Sequence, residues 1–160
     1  MVGDPIEAGA DVNATGGEFG TTLHAADYAH DVHTVQLLLQ HGANVTALAG
    51  EYETALQGAA TRDATWLCVQ IGTSGREGVA TMKPLSEHSA AVDNEGGKYE
   101  AALWAAVKSR NLHCVKWLLD QRADVTAKGG MYRDALAKAR MMRHWSVVNY
   151  LEQRFGRGDN

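Results

Sequence analysis

The 160-residue sequence has only two cysteines, Cys68 and Cys114, and both fall in apolar stretches of helical character. A disulfide-stapled secreted domain needs more cysteines at closer spacing, so these read as small buried hydrophobes. The chain also lacks a basic excess. Its 15 Lys and Arg stand against 19 Asp and Glu for a formal charge of −4, and the cations are scattered without a run. Such a balance sets up no field for nucleic acid phosphates. No apolar stretch approaches the roughly 20 residues of a membrane span. Met1–Gly9 has no apolar run behind a basic start, so no signal peptide is expected and cytosol or nucleus is the default location. Phosphate-cradling signatures are missing too: there is no Gly-x-x-x-x-Gly-Lys-Ser loop, and no Gly-x-Gly-x-x-Gly after a strand. What remains, with 45% apolar and 21% charged residues, is ordinary globular composition in a chain of single-domain length.

What the sequence does contain is a repeat. Gly9-Ala-Asp-Val-Asn13 recurs as Gly42-Ala-Asn-Val-Thr46, and Ser89-Ala-Ala-Val-Asp93 recurs as Arg122-Ala-Asp-Val-Thr126, each pair 33 residues apart. A second marker keeps the same phase: Gly16-Gly-Glu-Phe19, Ala49-Gly-Glu-Tyr52, Gly96-Gly-Lys-Tyr99 and Gly129-Gly-Met-Tyr132. A third is a leucine, at Leu23, Leu56, Leu103 and Leu136. Three markers in one phase define four units, approximately 9–41, 42–88, 89–121 and 122–155, within one domain spanning 1–160.

Each unit has a simple physical anatomy. The Gly-Gly-x-aromatic segment reads as a turn, since glycine accepts positive φ without steric cost. A helix of small residues follows, as in Leu23-His-Ala-Ala26 and Leu103-Trp-Ala-Ala106. A second, more apolar helix carries Val35, Leu37, Leu38 and Leu39, or Val115, Trp117, Leu118 and Leu119, and Gly42 is suited to stop it in the left-handed region. Neither helix buries its apolar face alone, so the units are expected to stack into an all-α solenoid.

Thr21-Thr-Leu-His-Ala-Ala26, Val35-Gln-Leu-Leu-Leu39 and Gly42-Ala-Asn-Val45 together resemble the ankyrin repeat. The family pattern runs Thr-Pro-Leu-His, Ala-Ala, Val-Val-x-Leu-Leu-Leu and Gly-Ala-Asp-Val-Asn. The resemblance covers about residues 9–155, and the glycine-rich aromatic turns are closest in style to ankyrin arrays of filamentous-fungal signalling proteins with NACHT-type modules. It implies helix-turn-helix units joined by β-hairpin-like turns. Departures are visible: Thr22 replaces the family's proline, Phe19 stands at a turn glycine, and Arg140 stands at an alanine, as suits a polar terminal unit. Met1–Ala8 supplies only a stub of a preceding second helix.

The second unit is 14 residues too long. Two stretches compete for its second helix, Trp66–Ile71 and Met82–His88. Gly72–Gly78 between them reads as a flexible loop, and Pro84 is expected to break a helix unless it sits in the first turn. A tolerated surface insertion and intron-derived sequence around 66–88 both explain the extra length, the second because leucines of the second helix are missing here alone. In either case this unit is expected to be the weakest link.

No catalytic set emerges. His30-Asp-Val-His33 has helical spacing but lacks the three or four converging ligands of a zinc site. In repeat phase His30 falls in a turn and His33 on a solvent face, while His24 and His144 match family histidines that hydrogen-bond backbone between units. Ser86, His88 and Asp93 have no ordering motif around them. No metal, cofactor or enzymatic activity is expected.

The resemblance implies instead a concave face of turn tips and first helices that binds another protein. Its family contact positions fall on Glu18, Phe19, Glu51, Tyr52, Lys98, Tyr99, Met131 and Tyr132 at the tips. On the first helices they fall on Tyr28, Thr61, Arg62, Lys108 and Met141 with Met142, and Trp104 adds to them. The tip aromatics read equally as binding anchors and as rings that hold the turns together. Tyr28, Arg62, Lys108 and Met141, which vary between units, suit specificity better. The expected role is a monomeric adaptor or sensor array with a protein partner and no nucleic acid or membrane. A fragment of a larger signalling protein without independent activity, and an enzyme with an unrecognised site, stay open as alternatives.

Overall fold

The computed structural model describes residues 9–50, 54–61, 76–88, 102–125 and 134–156. Among these a two-stranded hairpin, β1 (Thr15–Gly16) and β2 (Gly20–Thr21), precedes eight helices. The helices are α1 (Thr22–Tyr28), α2 (Val32–Gln40), α3 (Ala55–Thr61), α4 (Arg76–Glu87), α5 (Ala102–Lys108), α6 (Leu112–Asp120), α7 (Ala135–Met141) and α8 (Trp145–Phe155). They form four successive pairs. First members stack α1 on α3, α3 on α5 and α5 on α7, and second members α2, α4, α6 and α8 form a second row beside them. The fold is therefore an all-α solenoid.

Helices of 7–12 residues are marginal alone in water, so packing between pairs stabilises them. The marker leucines Leu23, Leu56 and Leu103 are buried, each burial contributing roughly 1.5–3 kcal/mol. Ala26, Ala59, Ala106 and Ala139 occupy one phase of the first helices and are all buried, which lets those helices approach closely. From the second row Val35, Leu38, Val115, Leu118, Val147 and Leu151 complete a continuous core.

Three of the first helices end identically. Behind α1, Ala29 N–H donates to Ala25, His30 to Asp27 and Asp31 to Ala26, and the same triplet recurs at Ser109, Arg110 and Asn111 and at Met142, Arg143 and His144. The middle residue is left-handed each time, with φ of 57° at His30, 54° at Arg110 and 56° at Arg143. The next residue then starts the second helix: Asp31 caps Thr34 N–H at 3.1 Å and Asn111 caps Cys114 N–H at 3.1 Å. Gly42 (φ 82°) stops α2 in the left-handed region as expected, and Arg122 (φ 67°) does so for α6 without glycine. The repeated Gly-Ala-Asp-Val-Asn segment gains a physical role, since Asn13 accepts from Asn44 N–H at 2.7 Å and donates to the Gly42 carbonyl, tying consecutive loops.

The second pair settles which stretch follows α3. Its partner is α4, with Met82 and Leu85 in the buried places that Val35 and Leu38 hold in the first pair. The apolar residues of the second helix are thus present, displaced by the extra length. Trp66–Ile71 lies outside the described residues. Two expectations are corrected. Residues 76–78 belong to α4 and not to a loop, and Pro84 sits as the ninth residue of that helix. The helix survives because Thr81, Met82, Pro84 and Leu85 are all buried in the stack, while the carbonyl that loses its N–H partner belongs to exposed Ala80. Gly78 allows the close approach: a Cβ there would lie 2.8 Å from both the Ala59 carbonyl oxygen and Cys114 Sγ. Pro84→Ala is expected to raise stability by about 1–2 kcal/mol, the ~3 kcal/mol cost of an interior proline less the lost packing of its ring. Urea denaturation of the two chains measures it, and a loss would mean that the ring's packing outweighs the missing hydrogen bond.

A carboxyl is enclosed in the same seam. Asp27, fully buried at the end of α1, accepts from Ala59 N–H of α3 at 3.0 Å. The Thr81 hydroxyl of α4, which donates to the Gly78 carbonyl at 3.0 Å, also lies beside the carboxyl. Its Oδ1 meets no hydrogen-bond partner among the described residues. Burial raises the Asp27 pKa well above the usual carboxylate range, against the lowering effect of Thr81 and Ala59. The folded chain therefore holds a proton that the unfolded chain releases above about pH 4, and stability falls as pH rises between the two pKa values. Asp27→Asn carries no such proton. Its stability relative to wild type is expected to improve from about pH 4 upward, by at most about 1.4 kcal/mol per pH unit. Denaturation at a series of pH values reads this, and a flat difference would show an ionised Asp27 in the fold.

Candidate functional site

The hairpin and the first helices define the face on which the expected contact residues fall. β1 and β2 pair antiparallel, Thr15 with Thr21 and Gly16 with Gly20, around a tip of Gly17, Glu18 and Phe19. The first Gly-Gly-x-aromatic segment is thus a turn, with Gly17 at φ 66°. Gly20 at φ 88° is required for a second reason, since a Cβ there would lie 2.5 Å from Gly50 N and from Ala49 Cβ of the next unit. Thr21 then caps α1: it accepts from His24 N–H, and its hydroxyl lies 2.6 Å from His24 Nδ1. His24 is buried, and His144 donates from Nδ1 to the Val107 carbonyl of the preceding unit at 2.8 Å. His30 lies half-buried in the left-handed turn and His33 is exposed.

At the first unit the structure brings two of the expected residues together. Phe19 at the tip and Tyr28 at the end of α1 stack with ring centroids 5.0 Å apart, tilted by 35°. Both rings are half-buried and Glu18 beside them is exposed. A hollow of about 380 Å³ opens here, lined by Thr15, Glu18, Phe19, Thr22 and Ala25 among others. Further along the stack the face turns basic. Lys108 ends α5, and Lys138 of α7 sits 5.7 Å from the Trp104 ring centroid. Partial burial, and after it the charge of Lys108, lowers the Lys138 pKa. Met141, one turn after Lys138, is 53% exposed.

Trp104 itself is corrected as a contact residue. It is 6% exposed, with Lys138 over its ring, so the ammonium takes the surface place expected of the indole. Lys138 was legible by repeat phase: its counterparts are Ala25, Gly58 and Ala105, and it alone is charged. Thr61 ends α3. Glu51, Tyr52, Arg62, Lys98, Tyr99, Met131 and Tyr132 lie outside the described residues, as do Cys68 and Asp93. Ser86 and His88 stand at the end of α4, where His88 donates to the Pro84 carbonyl at 2.9 Å. Cys114 is a buried free thiol, pushed up to about 12 by burial and by the Asp27 carboxyl, which leaves it inert as a nucleophile.

The Phe19–Tyr28 stack predicts a stability effect independent of any partner. Phe19→Leu keeps apolar bulk and removes the ring pair, and is expected to cost about 1 kcal/mol in urea denaturation. No loss would leave the ring to partner contact alone.

A sequence model of the family described as "Ankyrin repeat" matches residues 21–49 and 99–130. An Arabidopsis thaliana protein named "Putative E3 ubiquitin-protein ligase XBAT34" is 48% identical over 54 residues, which is 32% of this chain and 14% of that protein. The chain thus matches a small part of the relative's length. No helix among the described residues is long and apolar enough to cross a membrane. Helix pairs, hairpin and family match agree that residues 21–49 and 99–130 are ankyrin repeats, units that indicate a protein–protein interaction module.

Proposed function

We propose that the chain is a non-enzymatic adaptor or sensor array whose protein partner lies along the hairpin tips and first helices. The observation that carries this is the change of presented side chains along a repeating framework. An aromatic pair with Glu18 at the first unit gives way to Lys108, Lys138 and Met141 at the third and fourth. Rigid aromatic rings such as that of Tyr28 are among the groups that carry most binding energy in protein interfaces. The inert Cys114 thiol argues against thiol-mediated transfer at that residue. The relative's name suggests one setting, in which the array holds a client for a ubiquitin ligase.

A second reading, a piece of a longer array, is favoured by Trp145 at 58% and Phe155 at 51% exposure on the last helix, an apolar surface that a further unit would cover.

The test is a binding titration of a partner captured from the source cell, comparing wild type with Tyr28→Ala/Lys138→Ala/Met141→Ala. Loss of at least tenfold in affinity by a variant that keeps its helical circular dichroism is the expected outcome. Unchanged affinity would remove this face from the function.

A further inference from the structure

The second-helix row, on the other side of the molecule from the hairpin tip, carries a groove that the adaptor reading does not use. It lies between α4 and α6, has a volume of about 400 Å³, and is lined by Arg76, Val79, Ala80, Lys83, His113, Lys116, Trp117 and Asp120. The volume is within the roughly 300–1,000 Å³ of ligand sites. Val79, Ala80 and Trp117 supply an apolar floor, and Arg76, Lys83 and Lys116 supply three cations.

Among the described residues no carboxylate neutralises those cations: Arg76, Lys83 and Lys116 enter no ion pair, and Lys116 has only the Tyr150 ring, 5.2 Å from its ammonium. The one acid among the described lining residues, Asp120, is already bound at 2.6 Å by Arg154, which reaches across from α8. A positive field in the groove is consistent with His113, whose pKa is lowered by burial and then by Arg76 and Lys116. This local excess of positive charge sits on a chain of net charge −4.

We propose that the α4–α6 groove is a second docking site, taking a short acidic peptide segment that carries one large apolar side chain. The carboxylates pair with Arg76, Lys83 and Lys116, and the apolar side chain lies on Trp117. Charge complementarity selects an acidic ligand, and the apolar floor selects a protein over a bare polyanion. Length separates the two further. A nucleic acid strand would run past the three cations onto a net-negative molecule, with Glu87 exposed at the end of α4, whereas a peptide confines its charge to the groove. The site is distinct from the hairpin and first-helix face, so one chain can hold two protein segments at once.

The probe is a fluorescein-labelled Glu-Asp-Phe-Glu-Glu-Asp peptide, titrated with the full chain by fluorescence anisotropy at low and at physiological salt. Saturable binding that weakens with salt is expected. Lys83→Gln/Lys116→Gln should weaken it several-fold and Lys83→Glu/Lys116→Glu at least tenfold. Trp117→Ala should weaken the Phe-bearing peptide and leave its Phe→Ser analogue unchanged. Tyr28→Ala/Lys138→Ala/Met141→Ala should not alter either, so failure here and failure of the adaptor reading are separable. On binding, the His113 ring pKa followed by NMR should rise as carboxylates offset its cationic neighbours. If the charge-reversed chain does not fold, the glutamine chain decides. Absence of saturable binding, equal binding by the glutamine chain, or tighter binding of a twelve-nucleotide oligothymidylate would each overturn the proposal, the last in favour of a nucleic acid site.

Discussion

The Ala59 amide donates to a carboxyl oxygen of Asp27 in a seam from which water is excluded, and both rows of the stack converge there. α1 supplies the carboxyl, α3 the amide, α4 the Thr81 hydroxyl, and Cys114 of α6 lies close enough to feel the charge. In the later units the same phase is filled by Ala60, Val107 and Arg140. Only the first unit puts an acid there, against the one pair of helices with an abnormal connection. The bond joins α1 directly to α3, and Gly78 brings α4 against the same seam by having no side chain. The remaining pairs need no such device, because their alanines and leucines already fit.

Most of the fold was legible from spacing. Leucines 33 residues apart and small residues at Ala26, Ala59, Ala106 and Ala139 follow from the need to bury one face of a short helix against a neighbour. What spacing hid was the course of the second unit. Pro84 and the glycines before it look like helix breakers, a local preference against Met82–His88 that left Trp66–Ile71 competing with it for the second helix. Tertiary burial of Met82 and Leu85 overrides that preference, as packing commonly does for helices too short to stand alone. The left-handed His30, Arg110 and Arg143 were equally hidden, since none is a glycine.

The face of tips and first helices was partly legible. Repeat phase placed Phe19, Tyr28, Lys108 and Met141, but it could not tell that Trp104 is covered by Lys138, because cover depends on the next unit's side chain. The groove was not legible at all. Arg76, Lys83, His113 and Lys116 belong to two units, and the first two lie within the irregular stretch, so no run of charge marks them in the sequence.

The connection between α3 and α4 has a kinetic consequence. Three residues join α1 to α2, whereas fourteen join α3 to α4, so the second pair must meet over a longer separation along the unfolded chain, at a greater cost in chain entropy. In a linear stack each pair contacts only its neighbours, so nucleation favours pairs with tight turns. The first pair and the last two have such turns; the second does not. Folding is then expected to begin on both sides of a slower second pair, with the seam at Asp27 closing when the two halves meet.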